Sequence, residues 1–196
     1  MKNLTRISVL RWTFLTTAGW VIGVLLILLF TALLESRGMD NQIIMPICVG
    51  LSIGMMQSLA LRKVIKNSMN WVWLLVIGLC IPFVLFEILA RFIPLKSEGY
   101  IFILVPIAGI VSGYLQQRYI LNDISTKAHY WVLVSFLAWF SFSVIGGVFF
   151  LHLPRNQQVI INVIALFSCG PVMGLITGYS IISVLSANKK PSLRSK

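Results

Sequence analysis

Acidic residues are nearly missing from this chain, which sets five Asp and Glu against sixteen Lys and Arg in 196 residues. That scarcity removes paired-carboxylate chemistry, because Asp40, Glu98 and Asp123 fall between apolar runs and Glu87 has no second acid in its own run. Histidine is scarcer still: His129 and His152 flank opposite ends of one apolar run and cannot share a metal ion. Cys48, Cys80 and Cys169 all lie inside apolar runs, with neither disulfide nor zinc spacing, so they read as small packing side chains. No glycine-rich phosphate loop and no nucleophile–base pair is present. The residues therefore predict a protein that is not an enzyme and takes no cofactor.

Charge of either sign is low. Only 11% of the residues are charged and 58% are hydrophobic, where an average soluble domain has about 25% and about 45–50%. The apolar residues form six blocks, near 12–34, 43–61, 71–92, 100–121, 130–151 and 159–185. Each reaches the roughly 20 residues that a helix needs to cross the hydrocarbon core. Only helices and closed barrels satisfy their backbone polar groups there, and a barrel's strict alternation is missing. The expected fold is an all-α polytopic membrane bundle of six transmembrane helices, forming one domain over 1–196. Lys2, Arg6 and Arg11 precede the first block as they would in a signal peptide. The block is too long for an h-region and no small-residue cleavage site follows, so it reads as a mature helix.

The positive residues set an expected orientation. Lys2, Arg6, Arg11, Arg62, Lys63, Lys66, Arg118, Lys127, Lys189, Lys190, Arg194 and Lys196 fall on one side of the six blocks. Arg37, Arg91, Lys96 and Arg155 fall on the other. Twelve against four predicts that both termini, with short tails over 1–10 and 187–196, are cytoplasmic. The formal charge of +11 then reads as topology signal plus attraction to anionic lipid headgroups. Charges scattered over four segments do not make the clustered basic face that nucleic acid requires.

A hairpin is written three times in the sequence. Trp12, Trp71 and Trp131 open the odd-numbered blocks at spacings of 59 and 60 residues, and Gly50, Gly109 and Gly170 follow 38, 38 and 39 residues later. Each glycine begins a Gly-x-x-x-Gly phrase, completed by Gly54, Gly113 and Gly174, and each phrase leads to a polar residue, Gln57, Gln116 or Thr177. Three repeats follow, about 11–69, 70–128 and 129–188. Each has an even number of spans, so all share one orientation and an axis along the membrane normal relates them in an approximate threefold arrangement. The glycine spacing puts both small residues on one helix face, where another backbone can approach closely. The even helices are expected to pack tightly and centrally, with the odd ones facing lipid. The three tryptophans read as headgroup anchors. Trp20 and Trp139, with Leu79 at the same register, read as packing residues that could also line a small pocket.

The phrase that runs from Gly50 through Gln57 to Leu61-Arg62 resembles one in a group of bacterial six-helix membrane proteins. The resemblance covers most of the chain and is strict in the first hairpin. In the second, Arg118 follows the glutamine early and Leu121-Asn122 ends the phrase; in the third, Thr177 replaces the glutamine. That group carries no established chemistry, so the resemblance implies a bacterial inner-membrane protein of this architecture and no particular activity.

Few polar groups remain. Glu87 and Arg91 are four residues apart near a helix end, which favours an intramembrane ion pair over proton or ion handling, although Pro82 one turn earlier adds to the functional reading. Gln57, Gln116 and Thr177 should converge as an inward polar layer, because an amide facing lipid would leave donors unpaired. Polar glue is the plain reading of that layer and a ligand site the other. Two functions follow: an intramembrane interaction or assembly module that contacts another membrane protein or itself, or a small-molecule transporter or channel component with ligand between the hairpins. The six spans and short loops are similar in size and topology to the substrate-binding subunits of vitamin uptake transporters, while the signature of mitochondrial carriers is missing.

The charge count yields a direct test. Single cysteines at Ser97 and Ser192 should react with an impermeant thiol reagent from opposite faces of the membrane; reaction of both from one face rules out the six-span orientation.

Overall fold

The computed structural model describes residues 8–35, 43–92, 100–152 and 155–187, with the side chains of 35, 148–163 and 165 excepted. The expected tails beyond these limits, and the segments that carry Arg37, Asp40, Lys96 and Glu98, lie outside the described residues. The regular secondary structure of the described residues is all helical. Its elements are α1 (Val9–Glu35), α2 (Ile44–Leu61), α3 (Met69–Ala90), α4 (Ile101–Gln116), a π-helical turn over Gln117–Leu121, the single turn α5 (Asn122–Ile124), α6 (Tyr130–His152) and α7 (Arg155–Ser186). Among the described residues, six helices are long and apolar enough to cross a membrane. α4 does so together with its π turn and α5, over Ile101–Ile124. An apolar helix of this length keeps its backbone hydrogen bonds inside the segment, which is what the bilayer core demands.

The six spans follow one another around a ring. α1 packs on α2, α2 on α3, α3 on α4, α4 on α6 and α6 on α7, and α7 returns to pack on α1. Close approach is made possible by glycine. A Cβ placed on Gly54 would lie 3.0 Å from Val72 Cα, one on Gly113 2.7 Å from Ser135 Cβ, and one on Gly174 2.9 Å from Thr13 Cα. Gly50, Gly109 and Gly170 meet Val76, Trp139 and Trp20 in the same three seams. The glycine faces of α2, α4 and α7 are therefore turned toward α3, α6 and α1. Each even helix packs most closely against two odd helices, and the even spans are more buried than the odd ones, as expected of helices that pack tightly while the odd ones face outward. A glycine face gains most from a broad backbone surface beside it, and the ring offers one on each side. Gly78, which the repeat does not mark, makes the tightest approach, 2.3 Å from its ideal Cβ to Ser112 Cα.

Two apolar cores fill the ring, separated along the helices by one turn. One, at the end where α1 begins and α7 ends, contains Trp12, Leu61, Trp71, Leu121, Trp131 and Ile181. The other contains Trp20, Val49, Ile53, Leu75, Leu79, Phe83, Trp139 and Met173. The π turn keeps the first core in register. From Gln57 to Leu61 and from Thr177 to Ile181 the step is four residues, but from Gln116 to Leu121 it is five, and all three aliphatic residues are fully buried. One extra residue in a widened turn delivers Leu121 to the same core as its counterparts. Leu61 and Leu121 each precede the next tryptophan by ten residues, so the turn alone accounts for the spacing of 60 in place of 59.

Packing this tight separates two glycines. Gly78→Ala should lower stability by about 1–3 kcal/mol, since its methyl meets backbone that cannot step aside. Gly147→Ala, whose ideal Cβ has only ordinary contact at 3.7 Å from Phe102, should be neutral or slightly stabilising. Thermal unfolding in mild detergent compares them, and equal melting temperatures would contradict the seam geometry.

Candidate functional site

The position one helical turn inward from the first core is polar. Gln57 on α2, Gln116 on α4 and Thr177 on α7 are buried, as are Thr16 on α1, Ser112 on α4 and Ser135 on α6. All six line a single cavity of about 20 Å³ whose walls also include Ile53, Leu75, Trp131, Ala138, Trp139 and Met173. The structure thus brings Gln57, Gln116 and Thr177 together around one space, and that space has room for one water-sized group.

Each of the three residues holds the indole of a neighbouring helix. Trp71 Nε1 donates to Gln57 Oε1 at 2.9 Å, Trp131 Nε1 to Gln116 Oε1 at 2.8 Å, and Trp12 Nε1 to Thr177 Oγ1 at 2.9 Å. The donor in each case opens the helix that follows around the ring, with α7 handing on to α1. Trp12 and Trp71 meet edge to face at 6.3 Å and Trp71 and Trp131 at 5.3 Å, so the rings close over the polar layer as a lid. Their side chains are 0%, 0% and 2% exposed, which corrects their reading as headgroup anchors. An indole N–H can be satisfied by headgroup or by protein; here an amide or hydroxyl already inside the bundle accepts it, and the ring surface fills the core.

The remaining polar capacity is uneven. Gln57 Nε2 donates to Thr16 Oγ1 at 3.2 Å, and the Thr177 hydroxyl donates to Met173 O at 2.7 Å, so each side-chain polar atom of both residues has at least one partner. Gln116 is 2% exposed and its Nε2 has no hydrogen-bond partner among the described residues. It borders the cavity with two N–H donors to spare. No charged side chain lines that cavity, so its chemistry is hydrogen bonding without ionisation. Thr16, Ser112 and Ser135 were not singled out from the sequence, although a signal existed. Thr16 and Ser135 lie four residues beyond Trp12 and Trp131, and Ser112 four before Gln116. Serine and threonine inside membrane helices so often bond their own helix that this spacing alone says little.

A second cavity of about 20 Å³ lies in the other core and is lined by Trp20, Leu79 and Trp139 together with Met45, Phe83 and Phe142, among others. The three residues that share a register thus meet at one apolar space. Trp20 Nε1 donates to the Leu166 carbonyl on α7 at 2.7 Å, and Trp20 and Trp139 stand 6.4 Å apart. Glu87 and Arg91 lie far along α3 from the polar layer and form an ion pair at 3.6 Å, with side chains 35% and 75% exposed. The structure keeps them apart from Gln57, Gln116 and Thr177. Comparison with protein-family models, curated proteins and solved structures found no match to this chain.

The indole bonds can be tested singly. Trp71→Phe keeps an aromatic ring but leaves Gln57 Oε1 without its donor, and should cost about 1–2 kcal/mol of stability. Trp73→Phe, at an exposed position two residues on, should change it by no more than about 0.5 kcal/mol. Denaturation of both variants beside the parent gives the comparison. A Trp71 variant as stable as the Trp73 one would mean that the bond contributes nothing.

Proposed function

We propose that this chain is a non-enzymatic membrane protein that binds a small, uncharged, hydrogen-bonding ligand between its helices, as a carrier or the binding component of one. The observation behind this reading is the buried amide of Gln116, which borders the shared cavity with its donors unused. A layer that served only as glue would pair its polar groups off within the protein, because an unpaired donor in a dry interior is costly. An uncharged ligand suits a lining with no charged side chain. In the closed ring the cavity admits a water-sized group, so a larger ligand enters only when a seam parts.

The same reading takes the six spans as three tandem hairpins around an axis along the membrane normal. Its support is the threefold recurrence of an indole bonded to the polar residue of the preceding helix, always in the same sense around the ring. The glycine pairs recur in that sense too. By the charge count, the end that holds the tryptophan lid faces the cytoplasm of a bacterial cell, with its basic residues against anionic headgroups. The alternative of an assembly module rested on the glycine faces. Gly50, Gly54, Gly109, Gly113, Gly170 and Gly174 all meet helices of their own chain, so an assembly role would fall to the lipid-facing surface.

Protein purified in mild detergent should release a stoichiometric small molecule on denaturation, identified by mass spectrometry. Gln116→Leu should abolish that release while Trp12→Phe, which disturbs the lid at a residue that does not line the cavity and keeps the free amide, retains it. Release by neither the parent nor the variants, with a stoichiometric protein partner in its place, would replace the carrier by the assembly module.

A further inference from the structure

Lys127, Tyr130 and Val134 on the approach to α6 and along its first turns face Ser180, Ser183 and Val184 on the last turns of α7 across an open groove of about 360 Å³. We infer that this groove is a specific site for the headgroup and upper acyl chain of an anionic phospholipid. The groove exists because α7 presents two serines there, side chains too small to fill the gap between the helices. Its chemistry changes with depth. Lys127 and Tyr130 stand at the helix entrance, and Val134 lies four residues further in, or roughly 6 Å down the axis. A lysine, a phenol and two hydroxyls supply N–H and O–H donors for phosphate oxygens, while the valines offer apolar wall for the chain below.

Charge and position favour a lipid over a soluble anion. The groove opens on the outer face of two spans, where lipid is the solvent, and at the end of the bundle that also carries Arg62, Lys66 and Arg118. Asp123, the acid nearest in sequence, forms no ion pair with Lys127 among the described residues, so the ammonium is available. The site is separate from the polar layer inside the ring and does not rest on the carrier reading.

Native mass spectrometry from nanodiscs of mixed phosphatidylglycerol and phosphatidylcholine tests the site. The parent should retain one phosphatidylglycerol per chain in preference to phosphatidylcholine. Lys127→Ala should lower that preference about fivefold, the effect of one charge at the membrane surface. Ser183→Leu should lower it comparably by filling the groove with the charge intact, and Lys66→Ala should leave it unchanged. Lys127, Ser183 and Lys66 are all exposed, so the variants should keep the parent's melting temperature, which is measured alongside. A parent without preference, a Lys66 variant as impaired as the Lys127 one, or a Ser183 variant that binds normally would each overturn the site. Equal competition by glycerol 1-phosphate would point to a soluble phosphate compound and overturn the lipid assignment.

Discussion

A buried indole N–H in a place that water does not reach has to find an acceptor in the protein, and the helix order of this chain follows from how it does so. Gln57, Gln116 and Thr177 each accept from a tryptophan on the next helix around the ring. Slipping a helix by one residue would turn either the amide or the indole out of the interior and strand both. The bond therefore fixes rotation as well as depth, which van der Waals packing between apolar helices does poorly when lipid tails are equally apolar. The glycines serve that geometry. With a side chain at Gly54, Gly113 or Gly174, the neighbouring helix would stand off and the indole would not reach its acceptor.

The same constraint explains the π turn. Gln116 must stay level with the other two polar residues, and Leu121 must reach the core beneath the tryptophan lid, yet five residues separate them where four suffice elsewhere. A regular helix would rotate Leu121 by about 100° away from its place. Widening one turn absorbs the extra residue and leaves the layers on both sides undisturbed. Gln117, the residue beside the acceptor, is thereby left half-buried, with its amide nitrogen 3.5 Å from Asn122 Oδ1.

Much of this was legible in the residues. Six spans follow from length and apolarity alone, since the bilayer core leaves a chain few options. The recurrence of Trp, Gly-x-x-x-Gly and Gln or Thr marked the side chains that meet. Their partners were not legible, because periodicity gives the face of a helix and not the neighbour that the face receives. The tryptophans were misplaced for the same reason: an indole at a helix entrance looks alike in a headgroup layer and under a lid, and only the acceptor distinguishes the two. Gly78, Thr16 and Ser135 stand outside the repeated phrase, Ser112 fills a position within it that is Ile53 and Met173 in the other copies, and none is unusual in a membrane helix, so all four escaped notice.

The three seams are not equal, and the difference bears on how the ring could open. α2 runs into α3 and α4 into α6 through short connections, so chain continuity limits how far those seams can part. α1 and α7 are the first and last helices, and their seam is held by packing and hydrogen bonds only. There the acceptor is a threonine, whose hydroxyl is shared between Trp12 and its own helix, in place of an amide that offers separate donors and acceptor. Thr13 Oγ1 in that seam is buried without a hydrogen-bond partner among the described residues, a second local cost. Gly178 adds a third glycine to the pair, 3.1 Å from its ideal Cβ to Trp12 Cδ1, and so brings more apolar contact to the seam whose acceptor is a hydroxyl. The seam is close-packed but lightly latched, and contacts of that kind lose about a quarter to a half of their attraction once two helices separate by about 0.5–1 Å. Five of the ring's six contacts join consecutive spans and one joins the first span to the last, so the ring has a preferred place to part, and that place gives onto Thr16 and Thr177 in the polar layer.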